Sequence, residues 1–219
     1  MKKRIVSLIV AVLLSVATAV SAFATSEFQL SIFQETDDYA ISIDEMTGTA
    51  QVMVQSLLDG EGVIDFGDAY VDILPMVSSY PELDTFVIGF SYFGDHWENI
   101  DQIIIKIGNQ SYFFSNFSVY AKAQQILDTM VQETVLIAIN SETVSLMQNL
   151  IENRDSEIKV RLVGMYRNLD FILTQGIKDG LIGLYDRYVM AGGTRESNLK
   201  KITEGGKFFD LEVKDITFQ

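Results

Sequence analysis

Apolar positions recur with two different periods along this chain, and the change from one to the other divides it. From Phe28 to Phe117 the period is close to two. Phe28, Leu30 and Ile32 alternate with Gln29, Ser31 and Phe33, and Tyr39 to Ile43 forms another short run. Ala50, Val52 and Val54 alternate with Gln51, Met53 and Gln55, and Tyr70 and Asp72 with Val71 and Ile73. Alternation of this kind predicts half-buried strands, because successive side chains of a strand point to opposite faces. Thr85 to Phe93 is rich in aromatic and β-branched residues, which suit strands. Ile103–Ile107 and Ser111–Phe114 flank Gly108-Asn109-Gln110, a compact hairpin signal.

A helical period begins near Tyr120. Tyr120, Ala123, Ile126, Leu127 and Met130 fall at helical spacing, with Lys122, Gln125 and Asp128 opposite, so a connecting helix is expected over 119–132. Glu133 to Asn140 then reads as a strand. Val144, Met147, Leu150 and Ile151 mark a helix capped by Ser141, since a hydroxyl accepts from the free amides of a first turn. Glu157–Gly164 and Asp170–Leu173 read as two strands. A second helix follows, capped by Thr174 and stopped by Gly192-Gly193. That helix carries Gly180 and Gly183 in its interior, each costing about 1 kcal/mol relative to alanine. Close approach to a neighbouring element accounts for such glycines. A short helix over Thr194–Thr203 and a last strand over Phe208–Phe218 complete the expectation.

The expected fold is therefore α+β: an antiparallel β-rich region over 25–118, the connecting helix over 119–132, and a β-α-β-β-α unit within 133–219. The two regions can share one sheet and form one domain.

The first 24 residues read differently. Met1-Lys-Lys-Arg4 precedes an apolar run from Ile5 to Val20, and Ala22-Phe-Ala24 supplies a small-residue cleavage site. This is the pattern of a secretory signal peptide, and export with cleavage after Ala24 is expected. No later stretch is long and apolar enough to span a bilayer as a helix. The chain has no cysteine, so a disulfide framework and a lipid-modified cysteine are both excluded. An exported domain of this size must then be held by its core.

Charge sharpens the division. The full chain has 16 basic and 30 acidic side chains, and loss of Lys2, Lys3 and Arg4 deepens the negative balance. Between Thr25 and Asn153 the only bases are Lys106 and Lys122; from Arg154 onward the signs are nearly even. Nucleic acid, anionic lipid and anionic polymers are thus poor partners for the acidic half. A protein or glycan partner outside the cell remains open, and the acidity also serves solubility.

Several short stretches carry candidate chemistry. Asp59-Gly-Glu-Gly-Val-Ile-Asp-Phe-Gly-Asp68 resembles positions three to twelve of the EF-hand calcium loop. The resemblance implies Asp59, Glu61, Asp65 and Asp68 as calcium ligands, with Gly62 at the sharp turn. The sequence departs from the pattern at the first ligand position, which is Leu57. It departs again at the closing position, where Asp68 is shorter than the usual glutamate. An acidic loop between strands is the other reading.

Gly94-Asp-His-Trp-Glu-Asn-Ile-Asp101 holds the only histidine and the only tryptophan. His96 between Asp95 and Glu98 can act as an acid/base group or help ligate a metal. Trp97 can offer an aromatic platform to a sugar or peptide, with Asp95 and Glu98 as hydrogen-bond partners. The plainer reading folds Trp97 onto the edge of the core. One histidine and no cysteine exclude a structural zinc site of the usual ligand type.

Nucleophile motifs fail. Gly89 to Gly94 has one residue too many for a G-x-S-x-G elbow, and Ser197-Asn-Leu-Lys200 stands without its companion elements. Lys159, Arg161 and Arg167 form a basic patch near a strand end, suited to an acidic partner or to the acidic half of the same chain. Taken together, the residues point to a secreted binding or assembly domain that is not an enzyme. A hydrolase centred on His96, or a calcium-dependent module using Asp59 to Asp68, is the alternative.

Overall fold

In the computed structural model, residues 29–80, 83–117 and 121–194 are described. The expected signal peptide, the short helix after Thr194 and the last strand lie outside the described residues.

Among the described residues the fold is mostly antiparallel β-structure with two helices, an α+β arrangement in two sheets. The first sheet contains β1 (Tyr39–Asp44), β2 (Thr49–Val54), β4 (Tyr70–Ser79), β5 (Asp84–Gly94), β9 (Met130–Ala138) and β8 (Lys122–Leu127), in that spatial order. The short β3 (Val63–Asp65) also pairs with β4. The second sheet runs β11 (Asn168–Ile172), β10 (Ile158–Val163), β6 (Gln102–Ile107), β7 (Gln110–Ser115). Helices α1 (Ser141–Glu152) and α2 (Gln175–Met190) follow β9 and β11.

The middle of the first sheet is buried on both faces along the whole of β5, which explains its nearly continuous apolar and small-residue sequence. Pro75 lies inside β4 without harm. β2 pairs with Met76 to Ser79 and β3 with Tyr70 to Asp72, so Pro75 falls in the gap between the two partners. No ladder there requires its missing N–H.

The α2 helix packs on β2 and β4. Tyr185 meets Phe86 of β5 edge-on at 5.4 Å, and the buried Tyr188 hydroxyl donates to Asp84 O at 3.0 Å. On the second sheet, Tyr112 of β7 donates its hydroxyl to Ser145 O in α1 at 3.2 Å. The two helices are tied by Lys178, 6% exposed, whose Nζ donates to Arg154 O at 2.7 Å and Ser156 O at 3.1 Å just beyond α1. Side chains from both sheets and both helices form one continuous hydrophobic core.

Gly180 supplies the close approach that α2 needs. A Cβ there would lie 2.7 Å from Leu57 Cδ1, in the helical turn Leu57–Glu61 that separates β2 from β3. Gly183 faces Tyr39 Oη of β1, and Gly176 faces Glu61. The small-residue edge of α2 therefore serves contacts within the chain.

Three sequence expectations are corrected. Residues 122–127 are not a connecting helix but strand β8, paired with β9 from Lys122↔Val135 to Leu127↔Met130. Apolar residues three or four apart also fit alternate strand faces imperfectly, and the long apolar β9 supplies the ladder that decides the matter. Leu30–Phe33 is a 3-10 turn with Phe33 buried, not a strand. The cap of α1 is Asn140, whose side chain accepts from Thr143 N at 2.9 Å, one residue before Ser141. The strands of the stretch from Glu133 to Met190 divide between the two sheets. β9 belongs to the first sheet, whereas β10 and β11 complete a sheet begun by β6 and β7.

Candidate functional site

The most connected polar cluster lies where the β5–β6 loop meets the β10–β11 turn. Glu98, completely buried, accepts through Oε1 from Arg167 Nε at 2.6 Å and from the Tyr92 hydroxyl at 3.3 Å. His96 Nε2 stands 3.2 Å from the same oxygen, with its side chain more than half exposed. Arg167 reaches further, to Asp68 Oδ2 at 3.0 Å and Tyr92 Oη at 3.5 Å. Burial opposes the charge on Arg167, yet hydrogen bonds to Tyr92, Glu98 and Asp68 raise its pKa on balance. Burial likewise raises the Tyr92 hydroxyl, with the Arg167 contact opposing. Gly94 makes room for that hydroxyl, since a Cβ there would sit 1.9 Å from it.

A second buried carboxylate holds the loop. Glu133 of β9 accepts from the backbone amides of Glu98, Asn99 and Ile100, the last two at 2.9 and 3.1 Å. Asn99 adopts a left-handed conformation, φ 53°, so that three successive amides turn toward one side chain. Asn is among the residues that tolerate that region.

This cluster gathers members of three sequence-predicted groups: Asp68 from the acidic loop, His96 and Glu98 from the histidine stretch, and Arg167 from the basic patch. Its charges satisfy one another. Trp97 is half-buried and packs against the core, and Asp95 is exposed beside it. The Oε2 atom of Glu98 has no hydrogen-bond partner.

The remaining candidate calcium ligands separate. Asp65 accepts from Gly67 N at 2.7 Å within its own turn. Asp59 and Glu61 instead line an open cleft of about 550 Å³ beside the glycine edge of α2, with Asp37, Asp38 and Asp179. Gln55 and Arg154 occupy two of those carboxylates, donating to Asp59 at 3.1 Å and to Asp179 at 3.0 Å. Among the described residues, no group of three or more histidine or acidic side chains is arranged to hold a metal ion.

Lys159 and Arg161 stand elsewhere, on the outer face of the second sheet, apart from Arg167. The burial of β10 and β11 alternates, so every second residue of these strands faces solvent. The register sets two rows side by side on that face: Ile172–Lys159–Lys106–Ser111 and Asp170–Arg161–Ile104–Phe113. Ile172 and Phe113 are 50% and 55% exposed. Arg161 holds Asp170 with two bonds, at 2.6 and 2.7 Å, which lowers the Asp170 pKa. Lys159 pairs with Glu157 at 3.1 Å. The surface is concave, with a volume of about 560 Å³, within the range of ligand sites.

Sequence reasoning missed Glu133, Lys106 and Asp72. Each had one available signal, a charged residue set inside an otherwise apolar strand. Asp72 is 7% exposed, its Oδ1 has no hydrogen-bond partner, and burial pushes its pKa up to about 6. It sits beside Ser91, whose hydroxyl lies 2.9 Å from that of Thr134 on the next strand.

The chain matches no family model, and neither a curated protein nor a solved structure is significantly similar to it. Among the described residues, no helix is long and apolar enough to cross a membrane.

Proposed function

We propose that the mature chain works outside the cytoplasm as a binding domain without catalysis of its own. Its docking surface is the outer face of the second sheet, and the partner presents an acidic, partly apolar protein segment. The two strands that complete this sheet lie within the β-α-β-β-α stretch, which on this reading is the docking half of the molecule.

One observation carries the reading. Lys159 and Lys106 are register partners on adjacent strands, in the middle of an exposed face that also shows Ile172 and Phe113. Like charges directly opposite on a sheet are unfavourable; Glu157 offsets part of that cost at Lys159, and a partner's carboxylate beside Lys106 offsets the rest. Lys106 is one of only two bases between Thr25 and Asn153, so its place beside Lys159 is not the by-product of a generally basic surface. In a chain of net charge −14, Lys106, Lys159 and Arg161 outnumber Glu157 and Asp170 on this face, which favours the approach of a carboxylate.

The test is an NMR titration with a hexapeptide of sequence Thr-Val-Glu-Val-Thr-Val, blocked at both ends. Shifts are expected at Lys106, Phe113, Lys159 and Ile172. They should weaken with added salt and vanish in the Lys106→Glu/Lys159→Glu variant. Shifts confined to other surfaces, or none at all, would sink the reading.

A second reading follows from His96, held 3.2 Å from the buried Glu98 with its ring in solvent. It makes the protein a hydrolase with His96 as acid/base group. Activity on ester, peptide or glycan substrates in the native protein, lost in His96→Ala, would favour it over the first.

A further inference from the structure

The second sheet ends in two edges, and they are not equivalent. At the β7 edge, the Phe113 amide that points off the sheet is taken by Glu142 of α1, at 3.3 Å. Among the described residues, the β11 edge has no such cover. Leu173 N donates to Ile158 O and Gly164 N to Arg167 O, which sets the phase of the β10–β11 ladder. Hydrogen-bonded pairs alternate with non-bonded ones in an antiparallel ladder. Asn168, Asp170 and Ile172 therefore turn their amides and carbonyls away from β10. Among the described residues, the backbone amides of Asp170 and Ile172 make no hydrogen bond. The side chains of the same residues lie on the exposed face. An open row of donors and acceptors thus borders the docking surface proposed above.

We infer that β11 is where the partner enters: an extended segment of another protein adds to this edge as a fifth strand. The inference rests on the reading of the outer face as a docking surface and adds the mode of binding. Main-chain pairing of this kind supplies affinity, and side chains at alternate positions supply choice. The segment that fits carries a glutamate opposite Ile172. Two strand spacings of about 4.8 Å separate that position from Lys159, a gap that the two extended side chains span over Ile172. A second copy of this chain fits poorly. Antiparallel pairing of β11 with itself about its middle residue would set Asp170 against its counterpart, between two molecules of net charge −14.

The experiment is amide hydrogen exchange of the full chain, with and without the same blocked hexapeptide at saturation. Exchange at Asp170 and Ile172 should slow by about tenfold or more if their amides become bonded in the complex. A peptide N-methylated at every residue, and so unable to pair through its main chain, should leave those rates unchanged. If side-chain shifts appear at Lys106 and Lys159 while both amides exchange as before, strand addition is overturned and face docking stands. If the face shows no shifts, the docking reading falls and this inference with it. If removal of residues 207–219, without peptide, speeds exchange at Asp170 and Ile172, the edge is already occupied by this chain and the partner inference fails.

Discussion

Arg167 Nε lies 2.6 Å from Glu98 Oε1, joining the turn between β10 and β11 to the loop between β5 and β6, and so one sheet to the other. Glu98 is fully buried and its second oxygen is unpaired. The pair therefore stabilises chiefly by preventing an isolated buried charge.

Removing one partner should cost more than removing both. Arg167→Met leaves the Glu98 carboxylate buried without its cation, and a loss of about 3–5 kcal/mol is expected. The double variant Arg167→Met/Glu98→Met should recover most of it. Urea unfolding of the four proteins of this cycle checks the expectation; additive losses would show that the two side chains act independently.

Glu133 should govern the same loop through its backbone. Its carboxylate accepts from three successive amides, and hydrogen bonds to a charged group contribute about 1.5–3 kcal/mol each. Glu133→Leu should then destabilise the fold and speed amide exchange at Asn99 and Ile100 ahead of the neighbouring strands. Unchanged exchange at those two residues would count against this anchoring.

Asp72 sets a pH dependence of definite sign. Its pKa is raised from 3.8 to about 6 by burial, so the folded state binds a proton that the unfolded state has released between those values. Stability falls as pH rises through that window and levels off above about pH 6. The difference corresponds to roughly 3 kcal/mol at most. Asp72→Asn should gain stability relative to the native chain at pH 7.5 and little at pH 4. Chemical denaturation at both values decides; a greater loss at pH 7.5 than at pH 4 would mean that the carboxylate is charged and compensated.

Gly180 should resist the change that helix propensity favours. Alanine gains about 1 kcal/mol in a helix interior, but its Cβ would press on Leu57 Cδ1 at 2.7 Å and Cγ at 3.2 Å. Overpacking of a tight contact costs about 1–3 kcal/mol, so Gly180→Ala should lower the melting temperature. In a Leu57→Ala background the same substitution should raise it. A gain in the native background would show that Leu57 moves aside freely.

Most strands of the first sheet and the β6–β7 hairpin are visible in the chain because the backbone itself imposes a period of two, and Gly108, at φ 57°, marks the hairpin turn. Thr174 declares the start of α2, accepting from Ile177 N at 3.2 Å, because a cap is a local device. β8 was not visible, since Ala123, Ile126 and Leu127 satisfy either period and only pairing with β9 selects one. The candidate site was legible in pieces. His96, Glu98, Asp68 and Arg167 each stand out by charge or rarity, but nothing local says that they meet.

By itself, then, the sequence determined the α+β class, most strands, both helices and the segregation of charge, all of them consequences of local geometry and composition. Tertiary structure alone decided that the strands divide between two sheets and that Glu98 and Arg167 pair. It also decided that Lys106 and Lys159 stand side by side on an exposed face. Those outcomes depend on register between distant strands, where a shift of one residue exchanges the inner face for the outer.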